Sequence, residues 1–325
     1  MMKVTKNKVS LRGRFLRKSI KIFMDLPINK KTGFLENGAR ISHMKRLWRV
    51  PKGYSLVQHD IKGTPVEELI NENNKNDHVI LQFHGGAYVM RFFDQYRMIA
   101  HKYSKISNAN KVISVDYRTA PNHVFPEALE DALRIWDWML GKGIKEEDVI
   151  VVGDSAGGNL SLALTMKLRD SNRKLPKALV LMSPLTDFDE HGDSYVYNVY
   201  NDPLFGKKKG LKEPKGEQMH HLIRAYAGNT DFKNKYLSPA YGEFDNFPPM
   251  LIQVGSYEVI ESDSLTVYEK AKNVNVDVRL TRYFGMFHDF QMLFNLFPES
   301  KVAWNEVQMF INEMYNQKVV IEQSN

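Results

Sequence analysis

The sequence predicts an α/β fold with helices on both sides of a mostly parallel sheet. Three observations carry that prediction. Short apolar, β-branched runs alternate with longer helical patterns from residue 78 onwards. The runs are almost continuously hydrophobic, as strands buried on both faces must be. The 325 residues, with 43% hydrophobic and 11% aromatic side chains, can bury a large core, which excludes a disordered or collagen-like chain.

Strands are expected at 78–83 (HVILQF), 112–117 (VISVDY), 149–153 (VIVVG), 178–183 (ALVLMS), 250–255 (MLIQVG) and 276–283 (VDVRLTRY). Helical patterns fill 126–140, 156–170, 261–273 and 301–316, the first opening on Pro126, whose fixed φ suits a first turn. Two segments stand outside the alternation: residues 1 to about 50, and about 187–247, which carries the basic stretch GKKKGLKEPKG. A connection that long within one domain is usually functional. Both segments are expected to cover the carboxyl edge of the sheet, where ligands of α/β proteins bind, as a cap on one domain spanning 1–325.

Charge separates the arm from the body. Residues 1–31 hold ten Lys/Arg and one acid, Asp25, so +9 of the net +7 lies there and the remainder carries −2. No base-reading motif accompanies the arm, so a nucleic-acid partner is not expected. Its apolar residues are interrupted by charges, which does not read as a secretory signal, and nowhere do 18 apolar residues run together as a membrane span requires. The spacing of Phe15, Leu16, Ile20 and Phe23 predicts a basic amphipathic helix that packs this apolar face on the protein. Peripheral lipid contact is the alternative for that helix. With no cysteine there is no disulfide or thiolate site, and the chain reads as cytoplasmic. A metal site is not expected either: His220 and His221 are adjacent rather than four apart, and no H-E-x-x-H occurs.

The strand VIVVG runs directly into Gly153-Asp154-Ser155-Ala156-Gly157-Gly158 and then a helical stretch. This is G-x-S-x-G in the strand–turn–helix context that lifts a serine hydroxyl above a sheet edge. Glycines two residues to either side leave room where strand and helix nearly touch. Upstream, HVILQF is followed by His84-Gly85-Gly86-Ala87-Tyr88, a loop whose backbone N–H groups can approach a developing oxyanion. Gly85 and Gly86 are assigned as donors, with the N–H of Ala156 as a third, and His84 as a residue that holds the turn. Tyr88, Phe92 and Phe93 either line an acyl pocket or pack beneath the cap.

A serine on such a turn takes its partners in the chain order Ser, acid, His. His288 lies downstream of the last predicted strand in a loop, whereas His191, His220 and His221 fall in the 187–247 segment. Glu258 follows MLIQVG in the turn just past the strand end, and Asp263, further on, is expected to cap or pair within the next helix. Ser155, His288 and Glu258 then form a nucleophile, a general base and its orienter, a set needing no cofactor.

With these residues in place, the chain resembles the hormone-sensitive-lipase-like esterases of the α/β-hydrolase superfamily from about residue 78 to 300. HGGAY is similar to the family's HGGG segment and GDSAGGNL to its nucleophile elbow. DYRTAPNHVFPEALED (116–131), SPLTD, YLSPAYG, PPMLIQVGSYEVIESD and GMFHDFQ also correspond. Ala87 stands in place of the third Gly, Asn122 where Glu is usual, and Glu258 where many members have Asp. The resemblance implies an α/β-hydrolase fold with a central sheet of the eight-stranded type and a helical cap. It implies a serine carboxylesterase for small esters of short- to medium-chain acids, and homodimers are common in similar proteins. A carbohydrate deacetylase, an amidase and an interfacial lipase share the mechanism, while a non-catalytic receptor on this fold is expected to have lost a triad member. A fluorophosphonate probe therefore should label the protein, and should not label Ser155→Ala; labelling of both would remove Ser155 as nucleophile.

Overall fold

The computed structural model describes residues 2–5, 8–24, 47–206 and 224–316. The strands are β1 (Met2–Val4), β2 (Tyr54–Ile61), β3 (Thr64–Asn71), β4 (Val79–Phe83), β5 (Lys111–Val115), β6 (Val149–Asp154), β7 (Ala178–Met182), β8 (Met250–Gly255) and β9 (Val278–Tyr283). The longer helices are α1 (Leu11–Met24), α2 (Asp94–Ser107), α3 (Glu127–Gly141), α4 (Ala156–Asp170), α5 (Glu261–Asn273) and α6 (Pro298–Met314). The strands form one sheet in the order β1-β9-β8-β7-β6-β4-β5-β3-β2, parallel except where β3 pairs with β2 and β5.

The β-branched runs sit at the centre because both of their faces are covered. In β4, Val79, Leu81 and Phe83 pack with α3 and α4, whose buried residues include Trp136, Ile135 and Leu164. Ile80, pointing the other way, packs with Val152, Ile99 of α2 and Val307 of α6. The six predicted strands are present, with small shifts at their ends. The expected sheet of the eight-stranded type has nine strands among the described residues, because three residues at the N-terminal end pair with the outer edge of β9. Three exposed residues are too few to carry a periodic signal.

The β2–β3 hairpin and α2 were also not predicted. The hairpin turns on Lys62 and Gly63, both with positive φ, the two-residue turn that matches strand twist. Glu67 and Glu68 disguise β3 as polar, yet both are buried. Arg97 grips Glu67 at 2.6 and 2.7 Å, and Lys111 reaches Glu68 at 2.9 Å. In α2, Tyr96, Ile99, Ala100, Tyr103 and Ser107 are buried along one face.

Of the 187–247 segment, residues 187–206 and 224–247 are described. They hold a helical turn at Ser194–Tyr197, helical residues at 224–227 and a short 3-10 helix at Pro239–Tyr241. The basic stretch beyond Gly206, with His220 and His221, lies outside the described residues, as do Asp25, Lys30 and Lys31 of the arm.

Strand β6 and helix α4 meet almost backbone to backbone. A Cβ on Gly157 would fall 2.1 Å from the Phe83 carbonyl oxygen, and one on Gly153 would fall 2.3 Å from the Gly157 carbonyl. The atoms met are main chain and cannot swing aside. Gly157→Ala is expected to lower stability by about 1–3 kcal/mol in thermal melts. Gly141→Ala, at the open end of α3 with nothing within 4 Å, is the control and should be neutral or slightly stabilising.

Candidate active site

Ser155 stands between the end of β6 and the first residue of α4, at φ 50° and ψ −117°. A non-glycine residue there carries strain on the order of 1–3 kcal/mol and persists only where its surroundings over-determine it. Its N–H donates to the Met182 carbonyl (2.9 Å), and its own carbonyl accepts from the N–H groups of Leu185 and Asn159 (both 3.1 Å). Strand β7 and the segment following it thus clamp the turn from both sides.

His288 lies in the loop after β9. Its Nδ1 is 3.0 Å from Glu258 Oε2. Glu258, in the turn after β8, is fully buried, and its other oxygen accepts from Ser183 Oγ (2.8 Å) and from the Gly255 N–H. These bonds fix the carboxylate, which in turn fixes the ring. The other nitrogen, Nε2, is 3.1 Å from Asp289 Oδ2. The imidazole therefore lies between two carboxylates, Glu258 at Nδ1 and Asp289 at Nε2, and His288, Asp289 and Ser155 line the same cavity.

Burial opposes charge on His288, but Asp289 and Glu258 outweigh it and hold its pKa well above the ordinary histidine value. Burial pushes Glu258 up to about 7, even with the opposing bonds from His288 and Gly255. Both shifts favour the protonated form of each partner, and each group is among the causes of the other's shift. Asp154, one residue before the serine, is pushed well up by burial first and by the charge of Asp289 second. Asp263 is elsewhere: it accepts from the Thr186 and Asp187 N–H groups and from Tyr195 Oη, the pairing role expected of it.

One of the two glycine N–H groups assigned from sequence as oxyanion donors already has a partner. The Gly85 N–H is taken by Tyr96 Oη (2.9 Å), which itself donates to Asp154 Oδ2 (2.9 Å). Gly85 is thus tied inward, and a Cβ on it would meet the Asp154 carboxylate at 2.2 Å. Gly86 and Ala87 line the cavity beside Ser155 and His288 instead, at φ +107° and +53°. Ala156 is buried at the start of α4, where a backbone N–H has no partner within the helix. His84 stacks on Tyr117 at 4.1 Å, and its Nδ1 lies 2.8 Å from the Gly85 carbonyl, so it holds the turn.

The cavity above Ser155 measures about 330 Å³ and is lined mainly by apolar side chains, among them Met90, Phe93, Leu185, Phe205 and Met292. Tyr88 and Phe92, proposed from sequence as substrate contacts, are not part of it. Tyr88 is buried against Tyr226 (3.8 Å, stacked), and its hydroxyl donates to Asn159 Oδ1 at 2.7 Å. Phe92 packs under Arg97 and beside Tyr96. Its neighbour Phe93 is in extended backbone, which turns successive side chains to opposite sides, and Phe93 is the one that reaches the cavity. Sequence reasoning also missed Ser183, Tyr96 and Asp289. Only Tyr96 had a readable signal, the buried spacing of α2.

A strained serine on a strand–turn–helix, with a histidine–carboxylate pair delivered by the loops after β8 and β9, defines a hydrolase of the α/β class. The family described as alpha/beta hydrolase fold matches residues 80–292. An esterase of Acinetobacter venetianus is 33% identical over 239 residues, covering 73% of this chain and 75% of its own. An acetyl-hydrolase of Streptomyces hygroscopicus is 28% identical, with 73% and 76% covered. The crystal structure of an esterase from the bacterial hormone-sensitive lipase family superposes with TM-score 0.81 at 25% identity, covering 94% of this chain and 99% of that one. The chain belongs to the α/β-hydrolase family, among its hormone-sensitive-lipase-like esterases, and is a carboxylic ester hydrolase.

Replacing Asp289 by Asn removes a negative charge beside Nε2 and so destabilises the imidazolium. In ring-nitrogen NMR titrations, the midpoint for His288 should move to lower pH in Asp289→Asn. An unchanged midpoint would mean that Asp289 does not contact the ring in solution.

Proposed function

We propose that the protein cleaves esters of short- to medium-chain acids through an acyl-enzyme on Ser155, with His288 as base and Glu258 as its orienter. The supporting observation is that Ser155 and His288 line one apolar cavity, with Glu258 bonded to the buried side of His288. Ser155 Oγ attacks the ester carbonyl while its proton passes to His288 Nε2. The tetrahedral oxyanion is held by the N–H groups of Gly86, Ala87 and Ala156, the first two replacing the pair assigned from sequence. The intermediate collapses, Nε2 returns the proton to the departing alkoxide, and a serine ester remains. Water activated by the same nitrogen then releases the acid and restores the hydroxyl.

The Asp289 carboxylate beside Nε2 favours the imidazolium, which stabilises the histidine once it has taken the serine proton. A cavity of about 330 Å³ is at the small end of ligand sites, which favours short and medium chains over long ones. The predominantly apolar lining favours an acyl group over a sugar. The cap is assigned to α1, whose Ile20 and Phe23 line the cavity, and to the 187–247 segment, which contributes Leu204 and Phe205.

An acyl-chain series of p-nitrophenyl esters tests the reading. Rates should peak at short to medium chains and show a burst. Ser155→Ala should lose on the order of 10⁶-fold in kcat, and Glu258→Gln about 10⁴-fold. Full turnover by Ser155→Ala would refute the mechanism.

A further inference from the structure

Helix α1 has two unlike faces. Leu16 and Ile20 pack on the cluster of Phe287, Phe290 and Phe297, as the sequence expected of the helix. Phe15, expected on that same packed face, points outward and is 71% exposed. Leu11 at 80% and Ile22 at 67% lie beside it. Positions 11, 15, 18 and 22 form a single stripe, so these three apolar residues and Lys18 share one outward face. Leu296, also exposed, joins Leu11, Arg12 and Phe15 around a shallow depression. The helix carries five Lys/Arg and no acid. Arg17 and Lys21 are tied to the body through the carbonyls of Gly285 and Tyr200, which leaves Arg12, Arg14 and Lys18 exposed around the apolar stripe.

We infer that this face docks on an anionic lipid surface. Apolar side chains at the centre of a cationic helix face match the acyl–headgroup boundary of such a bilayer, where a nucleic acid would offer nothing to the apolar stripe. Among the described residues no helix is long and apolar enough to cross a membrane, so the contact is peripheral. The next flank of the same helix puts Ile20 and the exposed Phe23 on the wall of the cavity above Ser155. Docking through α1 therefore brings the cavity entrance to the bilayer and favours esters dissolved in it. This last step rests on the proposed esterase reading; the docking itself does not.

The test is co-sedimentation of the full chain with vesicles of phosphatidylcholine alone or mixed with phosphatidylglycerol. The wild type should pellet with the mixed vesicles at low ionic strength, be released by salt, and stay in solution with phosphatidylcholine. Arg12→Glu/Lys18→Glu and Phe15→Ser/Ile22→Ser should each bind mixed vesicles at least about tenfold more weakly. Both should keep wild-type turnover of p-nitrophenyl butyrate, which shows that they fold. Should the wild type lack that turnover too, the esterase reading fails while the vesicle result still decides the docking. Absence of wild-type binding, or equal binding by both variants, overturns the inference. So does a dimer, seen by light scattering, that Phe15→Ser/Ile22→Ser converts to monomer, since the face would then belong to a second copy.

Discussion

The site depends on a backbone that no isolated peptide would hold: Ser155 at positive φ, on a turn only as wide as the gap between β6 and α4. That gap closes because Gly153 has no side chain to meet the Gly157 backbone, and Gly157 none to meet the Phe83 and His84 carbonyls at the end of β4. The strain, on the order of 1–3 kcal/mol, must be offset by bonds outside the turn. Some are made by its own N–H and carbonyl to β7 and the segment after it. Others pass through Asn159, one turn into α4. Its Nδ2 donates to the carbonyls of Leu185 (2.7 Å) and Leu237 (2.9 Å), and its Oδ1 accepts from Tyr88. All of these atoms are buried, so breaking one bond leaves an unsatisfied partner, which is costly enough to hold the turn in place. Tyr88 thus serves the serine without touching the cavity.

Around that fixed point, charge is arranged with little margin. Glu258, Asp289 and Asp154 are gathered about one buried imidazole. Three ionised carboxylates in so dry a space would repel one another, and burial lifts both Asp154 and Glu258 towards the neutral form. The histidine is the cation that makes the remaining charge tolerable. A histidine held this way favours retaining its proton, which in the proposed mechanism suits the step after serine attack better than the one before it. Losing the Asp289 contact at Nε2 would shift the balance the other way, because it removes one of the two charges that stabilise the imidazolium.

The proposed site residues were legible because each is a particular residue type at the end of a strand, and strand ends are marked by abrupt loss of apolar residues. Ser155 follows VIVVG, Glu258 follows MLIQVG and His288 follows the last strand, and the structure places all three above the same sheet edge. The Gly85 N–H was read as free because the partner that takes it comes from a distance. Nothing in HGGAY itself indicates that a tyrosine eleven positions beyond Gly85 takes that N–H. Tyr88 and Phe92 were misjudged for a similar reason: a φ of 59° at Tyr88 and the extended step at Phe93 decide which rings face inward, and composition does not reveal either. The β2–β3 hairpin was hidden by acids whose cationic partners come from α2 and β5.

The N-terminal segment does more for this arrangement than cover it. Ser10 caps α1 through the Gly13 N–H (2.9 Å) and is itself held by both oxygens of Glu299, at the start of α6 (2.6 and 2.8 Å). Thr5 Oγ1 accepts from the Phe284 N–H, and Arg17 donates to the Gly285 carbonyl while lying over Tyr257 at 4.5 Å. Phe284 and Gly285 begin the loop that carries His288, and Tyr257 precedes Glu258. The helix that walls the cavity is therefore bonded to the loops that deliver the base and its orienter. Within the helix both contacts are made by Arg17, so one side chain ties the face that walls the cavity to the loop before His288 and to the residue before Glu258. The outward stripe and the loops of the proposed site are thus two sides of the same helix, separated by one turn and not by a flexible linker.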